Sequence, residues 1–279
     1  MSSETADSDA PPIYELQDVW KSFGERPVLR GIDLVIPTGQ TLVVMGPSGC
    51  GKSVMLKHLV GLLKPDRGRI RFHGESIENL DERRLVSIRR RIGFLFQQSA
   101  LFDSLDVRHN VAFPLLETGQ AGSDLEDRVR ACLRRVGLED ALDQMPAELS
   151  GGMRKRVGLA RAIVLEPELV LYDEPTTGLD PIRANVINDL IVGLQRDLSI
   201  TSVVVTHDLD SAFQVADRMV LLHEGRVRIE GTPDDLRRSE DPVLRSFLEG
   251  RSYDDRDMDA VSPDTLEKGT TTNHGIADP

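Results

Sequence analysis

The chain has 279 residues, of which 39% are hydrophobic and 29% charged, a composition typical of a globular protein with one large domain or two small ones. Its net charge of −12 argues against sequence-independent nucleic-acid binding and against adsorption to an anionic membrane by charge alone. No apolar run reaches the roughly 18–20 residues that span a bilayer, and the acidic start lacks the pattern of a secretion signal. Two cysteines, Cys50 and Cys132, indicate a reducing compartment.

The first third of the chain predicts strands followed by a glycine loop and a helix. Residues 13–37 alternate apolar and polar side chains, which predicts antiparallel strands. The run "TLVVMG" (41–46) is continuously apolar and predicts a strand buried on both faces. In "KSVMLKHLVGLL", Met55, Leu59 and Leu62 recur at helical spacing and predict a helix. Strand, loop and helix in this order begin a βαβ unit.

Two more strands of the buried type follow in the second half of the chain. They are "LVLYDE" (169–174) and "TSVVVTH" (201–207), with helical sequence between them. This alternation predicts an α/β fold with a mainly parallel core sheet. The segment "RMVLLHEGRVRIEG" predicts a hairpin that turns at Glu224-Gly225.

Composition divides the chain into a folded part and two polar ends. We predict a flexible N-terminus at 1–12 and one domain at 13–250. Residues 103–165 lack a buried-type strand, which predicts a helical subdomain inserted in that domain. The segment 251–279 has little to bury and is predicted to be either disordered or a partner-docking segment.

The segment "GPSGCGKS" (46–53) fits the phosphate-binding pattern G-x-x-x-x-G-K-[ST]. Glycines let the backbone curl so that N–H groups point at phosphate oxygens, Lys52 faces the β- and γ-phosphates, and Ser53 offers a hydroxyl to Mg²⁺. A glycine turn without a ligand is the alternative, which the strand before and helix after disfavour. Cys50 is either a reactive thiol or an inert small filler. The loop residues expected to contact nucleotide are Gly46, Pro47, Ser48, Gly49, Cys50 and Gly51.

Acidic residues and a histidine end the two later strands. Asp173 is placed to hold Mg²⁺ directly or through water, and Glu174 to act on the attacking water as a base or a positioning group. Two acids that merely cap a strand end are the alternative. His207 ends the neighbouring strand, where its imidazole would reach the γ-phosphate, although a lone histidine is usually structural.

The motifs "GPSGCGKS", "LSGGM", "LVLYDEP", "GLDP" and a strand-terminal histidine occur in this order. In this respect the chain, over about residues 13–250, resembles the nucleotide-binding subunit of ABC transporters. The resemblance implies a P-loop NTPase fold with an N-terminal antiparallel β subdomain and an inserted α-helical signature subdomain. It also implies ATP as substrate and Mg²⁺ as cofactor.

The resemblance further implies a head-to-tail homodimer in which each ATP lies between the phosphate loop of one copy and the signature loop of the other. Ser150, Gly151 and Gly152 would then present the N-terminus of a helix to the γ-phosphate. Asp180, in "GLDP", would cross the dimer near the opposite active site. The signature's fifth residue is Met153, where many relatives have glutamine.

Other positions are implied one by one. Phe23 matches the aromatic residue that stacks on adenine, with core packing as the alternative. Gln97 matches the glutamine that touches Mg²⁺ and reports nucleotide state to the membrane subunits, although Gln98 is beside it. Residues 99–114 correspond to the surface where a membrane subunit's coupling helix docks.

The signature "LSGGM" followed by basic residues, together with "DPVLRSFLEG", is similar to the lipid-asymmetry (Mla) branch of the family. This implies a peripheral ATPase at the cytoplasmic face of the inner membrane that drives lipid transport with a separate permease and a lipid-binding periplasmic component. Alternatives are an ATPase of a small polar solute transporter, for example for amino acids, and a regulatory ATP-binding module.

A DNA-repair or chromosome ATPase is disfavoured, because the chain has neither long coiled-coil insertions nor paired cassettes. The basic runs at 82–91 and 153–156 are not interleaved with aromatic residues. They therefore predict solvated or salt-bridging faces rather than a nucleic-acid site.

Overall fold

A computed structural model describes residues 11–251 of the chain. The predicted flexible N-terminus and the predicted polar tail lie almost entirely outside the described residues. Both therefore stay predictions.

Ten strands in residues 11–251 form two sheets. They are β1 (Tyr14–Phe23), β2 (Arg26–Ile36), β3 (Thr41–Met45), β4 (Arg67–Phe72), β5 (Glu75–Ser76), β6 (Ile92–Leu95), β7 (Leu169–Asp173), β8 (Thr201–Val205), β9 (Arg218–His223) and β10 (Arg226–Gly231). One sheet has the order β2-β1-β4-β5 and the other β10-β9-β3-β8-β7-β6.

The same residues contain nine α-helices and two short 3₁₀ turns. The helices are α1 (Lys52–Leu59), α2 (Glu82–Arg89), α3 (Val107–Glu117), α4 (Leu125–Arg135), α5 (Gly151–Ile163), α6 (Pro181–Leu198), α7 (Leu209–Val215), α8 (Pro233–Arg238) and α9 (Pro242–Leu248). The 3₁₀ turns are Glu139–Ala141 and Pro146–Glu148. None of these helices combines the length and apolar composition needed to cross a bilayer.

The four-stranded sheet is antiparallel, as the alternating sequence of residues 13–37 predicts. Tyr14 of β1 lies between Ile36 of β2 and Phe72 of β4, and the rings of Tyr14 and Phe72 are 5.0 Å apart. Gly68 of β4 has a left-handed φ of 95°, and a Cβ there would lie 2.1 Å from the Asp18 carbonyl oxygen. The sheet can therefore close only with glycine at this position.

The six-stranded sheet is parallel except for the edge strand β10, which confirms the predicted mainly parallel core. All five residues of β3 are buried, as are all five of β8, so their continuous apolar sequences are explained by burial on both faces. The predicted hairpin is also confirmed. Its turn residues Glu224 and Gly225 have φ of 47° and 76°, the left-handed geometry of the favoured two-residue turns.

One apolar cluster joins the two sheets. It contains residues from β1, β2 and β4 of the antiparallel sheet, from β3, β7, β8 and β9 of the parallel sheet, and from α1 and α2. Helix α1 contributes Met55, Leu56 and Leu59, all fully buried. This burial fixes the start of α1, and with it the phosphate loop, against the central strand.

The prediction that the first helix continues to Leu62 is wrong. Helix α1 ends at Leu59, and Leu62 is 59% exposed. Gly61 follows the helix with a left-handed φ of 64°, and the N–H of Leu62 bonds back to the Lys57 carbonyl oxygen at 2.9 Å. A glycine in this conformation ends a helix because it satisfies the last carbonyl groups at no steric cost.

Three strands are absent from the sequence-based prediction: β4 and the two-residue β5 of the antiparallel sheet, and β6 of the parallel sheet. Strand β4 has the sequence "RGRIRF", in which arginine and glycine hide the alternation, and β6 has only four residues, "IGFL". Strand β6 pairs parallel with β7, Ile92 opposite Leu169. Tertiary pairing, rather than local sequence pattern, defines β4 and β6.

From residue 103 to residue 165 the chain forms only helices and turns, among them α3, α4 and α5. Helix α5 lies very close to β6. A Cβ on Gly93 of β6 would be only 2.4 Å from the carbonyl oxygen of Ala162 in α5. A Cβ on Gly158 of α5 would be 2.9 Å from Leu95 Cδ1. The status of this region as a separate subdomain stays a prediction.

The described chain divides into two compact units, one ending at Ser239 and the other beginning at Glu240. The first contains both sheets and the helices α1 to α8. The second contains α9, whose N-terminus is capped by the Asp241 carboxylate accepting from the Leu244 N–H at 2.9 Å. The predicted domain boundary at residue 250 stays a prediction.

The close approach of α5 to β6 yields a stability prediction. Gly93→Ala should lower the free energy of unfolding by about 1–3 kcal/mol, because the new methyl group overlaps a backbone oxygen that cannot move away. Gly193→Ala in α6 is the matched control. A Cβ there meets no atom within 4 Å, so greater helix propensity should raise stability by up to about 1 kcal/mol. Urea denaturation measures both, and equal stabilities would contradict the close packing.

Candidate active site

The phosphate loop connects the central strand β3 to α1, with left-handed backbone at three glycines. Gly46, Gly49 and Gly51 have φ of 150°, 81° and 110°. A Cβ on Gly46 would lie 2.2 Å from the Leu222 carbonyl oxygen, and one on Gly51 would lie 2.7 Å from Leu29 Cδ2. The loop therefore needs glycine both for its conformation and for its close contact with neighbouring strands.

Lys52 is buried at the first position of α1. Its ammonium donates to the carbonyl oxygens of Gly46 and Pro47 at 2.7 and 3.1 Å. These two bonds hold the ammonium on the loop itself. The positive charge is thus fixed where phosphate oxygens would meet the curled backbone.

Two carboxylates stand beside the loop, at the end of β7. The Ser53 hydroxyl donates to Asp173 Oδ1 at 3.2 Å, which joins the start of α1 to this strand end. Burial raises the pKa of the Asp173 carboxyl; the Ser53 hydrogen bond opposes this shift, and the negative charge of Glu174 adds to it. A cation at this position would relieve the cost of the buried negative charge. The donors are oxygens, the ligands that Mg²⁺ prefers.

Glu174 follows directly with a left-handed φ of 52°, unusual for a residue with a side chain. Its Oε2 is 2.8 Å from His207 Nδ1 and accepts from the Thr177 hydroxyl at 3.1 Å. Its N–H bonds to the Val205 carbonyl oxygen of β8 at 2.8 Å. The side chains of Glu174 and His207, predicted separately from two strands, thus form one contact.

A cavity of about 510 Å³ collects most of the predicted residues. Phe23 is 49% exposed at its rim, which excludes the core-packing alternative. Gln97 lines the cavity and Gln98 does not, although Gln98 follows it directly. The predicted residues that line the cavity are Phe23, Ser48, Gly49, Gly51, Lys52, Ser53, Gln97, Glu174 and His207.

Eight predicted residues are not among those that line the cavity. Gly46, Pro47, Cys50 and Asp173 belong to the phosphate loop and to the end of β7 beside it. The other four lie at the starts of α5 and α6. The Ser150 hydroxyl caps α5, accepting from the Met153 N–H at 3.3 Å, and Gly151 and Gly152 form the first turn of that helix. Asp180 caps α6, accepting from the Arg183 N–H at 3.0 Å. A single chain therefore does not bring the signature residues to its own phosphate loop.

Comparison with known proteins identifies the family. The family model described as ABC transporter matches residues 29–177, more than half of the chain. The chain belongs to the ABC transporter family. Its phosphate loop, Asp173 and Glu174 all fall within the matched residues.

Curated relatives of this ABC protein carry names from different transport systems. The probable ribonucleotide transport ATP-binding protein mkl of Mycobacterium leprae is 43% identical over 238 residues, covering 85% of this chain and 69% of the relative. The intermembrane phospholipid transport system ATP-binding protein MlaF of Escherichia coli K12 is 41% identical over 239 residues, covering 85% and 89%. The Arabidopsis thaliana protein TRIGALACTOSYLDIACYLGLYCEROL 3, chloroplastic, is 39% identical over 262 residues, covering 88% and 75%.

Solved ABC structures share the fold. The dimeric MJ0796 cassette in a post-hydrolysis state with ADP and Pi has a TM-score of 0.72 and 35% identity, covering 79% of this chain and 98% of that one. CbiO1 from Clostridium perfringens, part of the transporter complex cbiONQ, has a TM-score of 0.77 and 30% identity, covering 86% and 96%. This ABC chain is thus an ATP-binding ATPase of the cassette fold.

Sequence reasoning missed several residues of this ABC site. Arg26 and Val28 line the cavity beside Phe23. Because Arg26 pairs with Phe23 across the β1–β2 turn, an accurate hairpin register would have predicted its place.

The interpretation of residues 153–156 as a solvated or salt-bridging face is wrong for Lys155. This lysine is buried and donates to backbone carbonyl oxygens.

The structure also bears on the two interpretations of Cys50 in the ABC phosphate loop. The thiol is buried, and this burial raises its pKa against the opposing effect of Lys52. A raised pKa leaves little thiolate, the reactive form, near neutral pH. The effect of burial on the pKa of this thiol exceeds that of Lys52 and of the backbone N–H groups at the helix start, which favours the inert-filler interpretation.

We predict slow alkylation of Cys50 in the folded chain. In a Cys132→Ser background, iodoacetamide at about pH 7.5 should label the native protein far more slowly than the urea-unfolded protein, because little thiolate is present. The native rate should rise with pH, as the thiol ionises. Mass spectrometry measures the labelled fraction. Rapid native labelling that ATP suppresses would instead support the reactive-thiol interpretation.

Proposed function

We propose that this chain is the ATP-hydrolysing subunit of a membrane complex that transports phospholipid, and that it works as a homodimer closed by ATP. The observation that carries the proposal is the incomplete site of the single chain. The cavity contains a phosphate loop, a glutamate and a histidine, while Ser150 caps a helix elsewhere. A second copy facing this cavity would complete it, and the dimeric MJ0796 cassette with ADP and Pi shows that cassettes of this fold pair.

Nucleotide binding is assigned to the loop and its neighbours. The curled backbone of residues 46–51 would bind the phosphates through N–H groups, with Lys52 on the β- and γ-phosphates. Phe23 offers an exposed ring at the cavity rim for stacking on adenine. These contacts would direct the terminal phosphate toward Glu174 and His207, which line the same cavity.

Mg²⁺ is assigned to Ser53, Gln97 and Asp173. The hydroxyl of Ser53 and a carboxylate oxygen of Asp173 are 3.2 Å apart, and Gln97 lines the same cavity. When bound, the ion neutralises charge on the β- and γ-phosphates. The half-buried Asp173 and the buried Glu174 would supply the negative charge that such an ion requires.

Hydrolysis is assigned to Glu174 with His207. A water oxygen attacks the γ-phosphorus, its proton passes to or is oriented by the Glu174 carboxylate, and the bond to the β-phosphate oxygen breaks to leave ADP and phosphate. The described contacts of His207 and Thr177 are all made to Oε2 of this carboxylate. They leave Oε1 available for the water. The exposed His207 ring would contact the γ-phosphate.

The partner copy would contribute Ser150, Gly151 and Gly152. These residues begin α5, a helix of 13 residues whose N-terminal N–H groups and dipole favour an anion. Asp180, at the start of α6, would cross near the opposite site. Loss of the γ-phosphate removes the anion that both copies hold and so weakens the dimer.

An apolar groove would serve as the docking surface for a permease. Its volume is about 470 Å³, and its lining includes Phe94, Phe96, Phe102 and Phe113, with Phe96 and Phe102 substantially exposed. It overlaps the segment 99–114 that the family resemblance assigns to the coupling helix of a membrane subunit. Docking there would hold the ATPase at the cytoplasmic face of the inner membrane as a peripheral subunit.

Phospholipid is the proposed cargo for two reasons. The relative MlaF is named as part of an intermembrane phospholipid transport system. The signature "LSGGM" and the basic residues after it are also similar to the Mla branch of the family. Such a system would include a lipid-binding periplasmic component. Ribonucleotide is the second candidate, since mkl is named for ribonucleotide transport and is slightly more identical, 43% against 41%. Transport of another small polar solute and a purely regulatory role remain outcomes of the test.

Removing the Glu174 carboxylate should stop turnover and trap the dimer. Glu174→Gln keeps the side-chain shape but loses the group that accepts or orients the proton, so kcat should fall about 100-fold or more. With ATP and Mg²⁺ this variant should elute as a dimer in size-exclusion chromatography with light scattering. Adding Ser150→Ala should weaken that dimer while leaving the ATP affinity of the monomer nearly unchanged.

The matched control is Glu139→Gln, which removes a carboxylate that pairs with Arg134 at 2.9 Å and does not line the cavity. It should hydrolyse ATP like the wild type. A Glu174→Gln variant that still hydrolyses ATP rapidly would refute the assigned role. A large loss of ATP affinity in the monomeric Ser150→Ala variant would show that Ser150 acts on the ATP of its own chain and not on that of the partner copy.

Cargo is tested by reconstitution with the permease that co-purifies with the chain. In proteoliposomes, a fluorescent phospholipid should move only with ATP and Mg²⁺, and Glu174→Gln should abolish the movement. A radiolabelled ribonucleotide and an amino acid, supplied in parallel, should not move. Transport of either solute would overturn the lipid proposal, and ATP consumption without any cargo movement would favour the regulatory module.

A further inference from the structure

Helix α5 contains a buried ammonium that contacts two functional residues. Lys155 is 5% exposed, and its Nζ donates to the backbone carbonyl oxygens of Gln97 at 2.8 Å and Glu174 at 3.0 Å. No carboxylate oxygen of residues 11–251 lies within salt-bridge distance of it. The charge is therefore stabilised by backbone dipoles and not by an ion pair.

Burying this charge carries a cost that simple packing does not explain. Burial lowers the pKa of Lys155, and the charges of Glu174 and Asp173 only partly oppose that effect. An apolar side chain of the same length would fill the space without the desolvation penalty. Unlike a methionine, the lysine donates hydrogen bonds to two carbonyl oxygens, and these bonds account for its presence here.

The two carbonyl groups belong to different parts of the active site. Gln97 follows β6 and Glu174 follows β7, and both line the nucleotide cavity. Lys155 itself lies on the helix that begins with the signature residues after Ser150. One ammonium thus joins the loop that begins at Gln97 (the glutamine loop), the proposed catalytic residue Glu174, and α5, the helix that begins at the signature residues (the signature helix).

Both segments that it holds have a costly backbone conformation. Glu174 has a φ of 52°, and Ser99 and Ala100, just after Gln97, have φ of 63° and 46°. Arg161, further along the same helix, donates to the carbonyl oxygens of Ser99 and Ala100 at 2.7 and 2.8 Å. Left-handed residues with side chains persist only where surrounding contacts hold them, and here α5 supplies those contacts.

We propose that Lys155 is a positioning residue for ATP hydrolysis: it fixes the backbones of Gln97 and Glu174 to α5 and so holds the Glu174 carboxylate in place for the attacking water. The proposal rests on the roles proposed above for Gln97 and Glu174. Lys155 need not touch the nucleotide, since it acts through the two residues that do. Its loss should therefore affect the hydrolysis rate more than ATP binding.

The test compares Lys155→Met with the wild-type full-length chain. Methionine is unbranched like lysine, ends one atom earlier, and removes both hydrogen bonds. We expect kcat for ATP hydrolysis to fall at least about tenfold, while the Kd for a fluorescent ATP analogue changes by less than about twofold. A parallel fall of affinity and kcat, or an unchanged kcat, would overturn the proposal.

Arg156→Met is the matched control on the same helix. Its guanidinium also donates to two backbone carbonyl oxygens, those of Val136 at 3.1 Å and Gly137 at 3.3 Å, away from the nucleotide cavity. Burial lowers its pKa as well. This variant should retain kcat within about twofold. Equal losses in the two variants would show that Lys155 has only a structural role.

A second pair of variants keeps the test decisive if Lys155→Met does not fold. Lys155→Gln retains amide donors on a side chain long enough to approach the carbonyl oxygens, whereas Lys155→Asn carries the same group on a shorter chain. We expect Gln to recover most of the activity and Asn to lose at least about tenfold. Equal activity of the two would overturn the proposal.

Glu174→Gln separates this proposal from the function itself. If the wild type hydrolyses ATP and Glu174→Gln does not, the ATPase assignment stands whatever the Lys155 variants show. If Glu174→Gln retains full activity, the role of that carboxylate fails, and the proposal for Lys155 fails with it.

Discussion

The parallel pairing of β3, β8 and β7 is the constraint on which the active site depends. Val44 of β3 lies opposite Val205 of β8, and Val205 lies opposite Asp173 of β7. The carboxyl ends of the three strands therefore stand at one level. The phosphate loop, the acidic pair and the histidine, which are far apart along the chain, follow these strand ends directly. Each of these strands is hydrogen-bonded to a neighbour on both edges, which holds the three ends at that level.

On this frame stand a positive group, Lys52, on the phosphate loop and two carboxylates, Asp173 and Glu174, beside it. Lys52 is held on its own loop by two carbonyl oxygens, and the Ser53 hydroxyl joins that loop to Asp173. Glu174 Oε2 contacts the hydroxyl of Thr177, which follows β7, and the imidazole of His207, which follows β8. The parts are preorganised in the single chain, which lowers the cost of assembling them when nucleotide binds.

Helix α5 connects this frame to the surface that the proposed partner copy would meet. Glycines at 93 and 158 allow it to lie against β6, and its cations bond the backbone of the glutamine loop. The helix that begins at the signature residues is thus bonded directly to residues beside the cavity. The aromatic groove that includes Phe94 and Phe102 also contains Arg161 of α5, so the same helix reaches the proposed permease surface.

The sequence by itself determined the strands whose burial leaves a continuous apolar run, such as β3 and β8, and the motifs in which residue type and spacing carry the chemistry. It did not determine β4 or β6, because arginine, glycine and short length hide a strand whose partner is distant. It also misplaced Lys155, since a basic run on a helix indicates a solvated face unless the surroundings are known. Only the tertiary structure decided which atoms meet: it brought His207 to Glu174 and Gln97 to the cavity, and it buried an ammonium between two backbone carbonyl oxygens. These contacts depend on distances between segments far apart in the chain, which no local pattern of residues encodes.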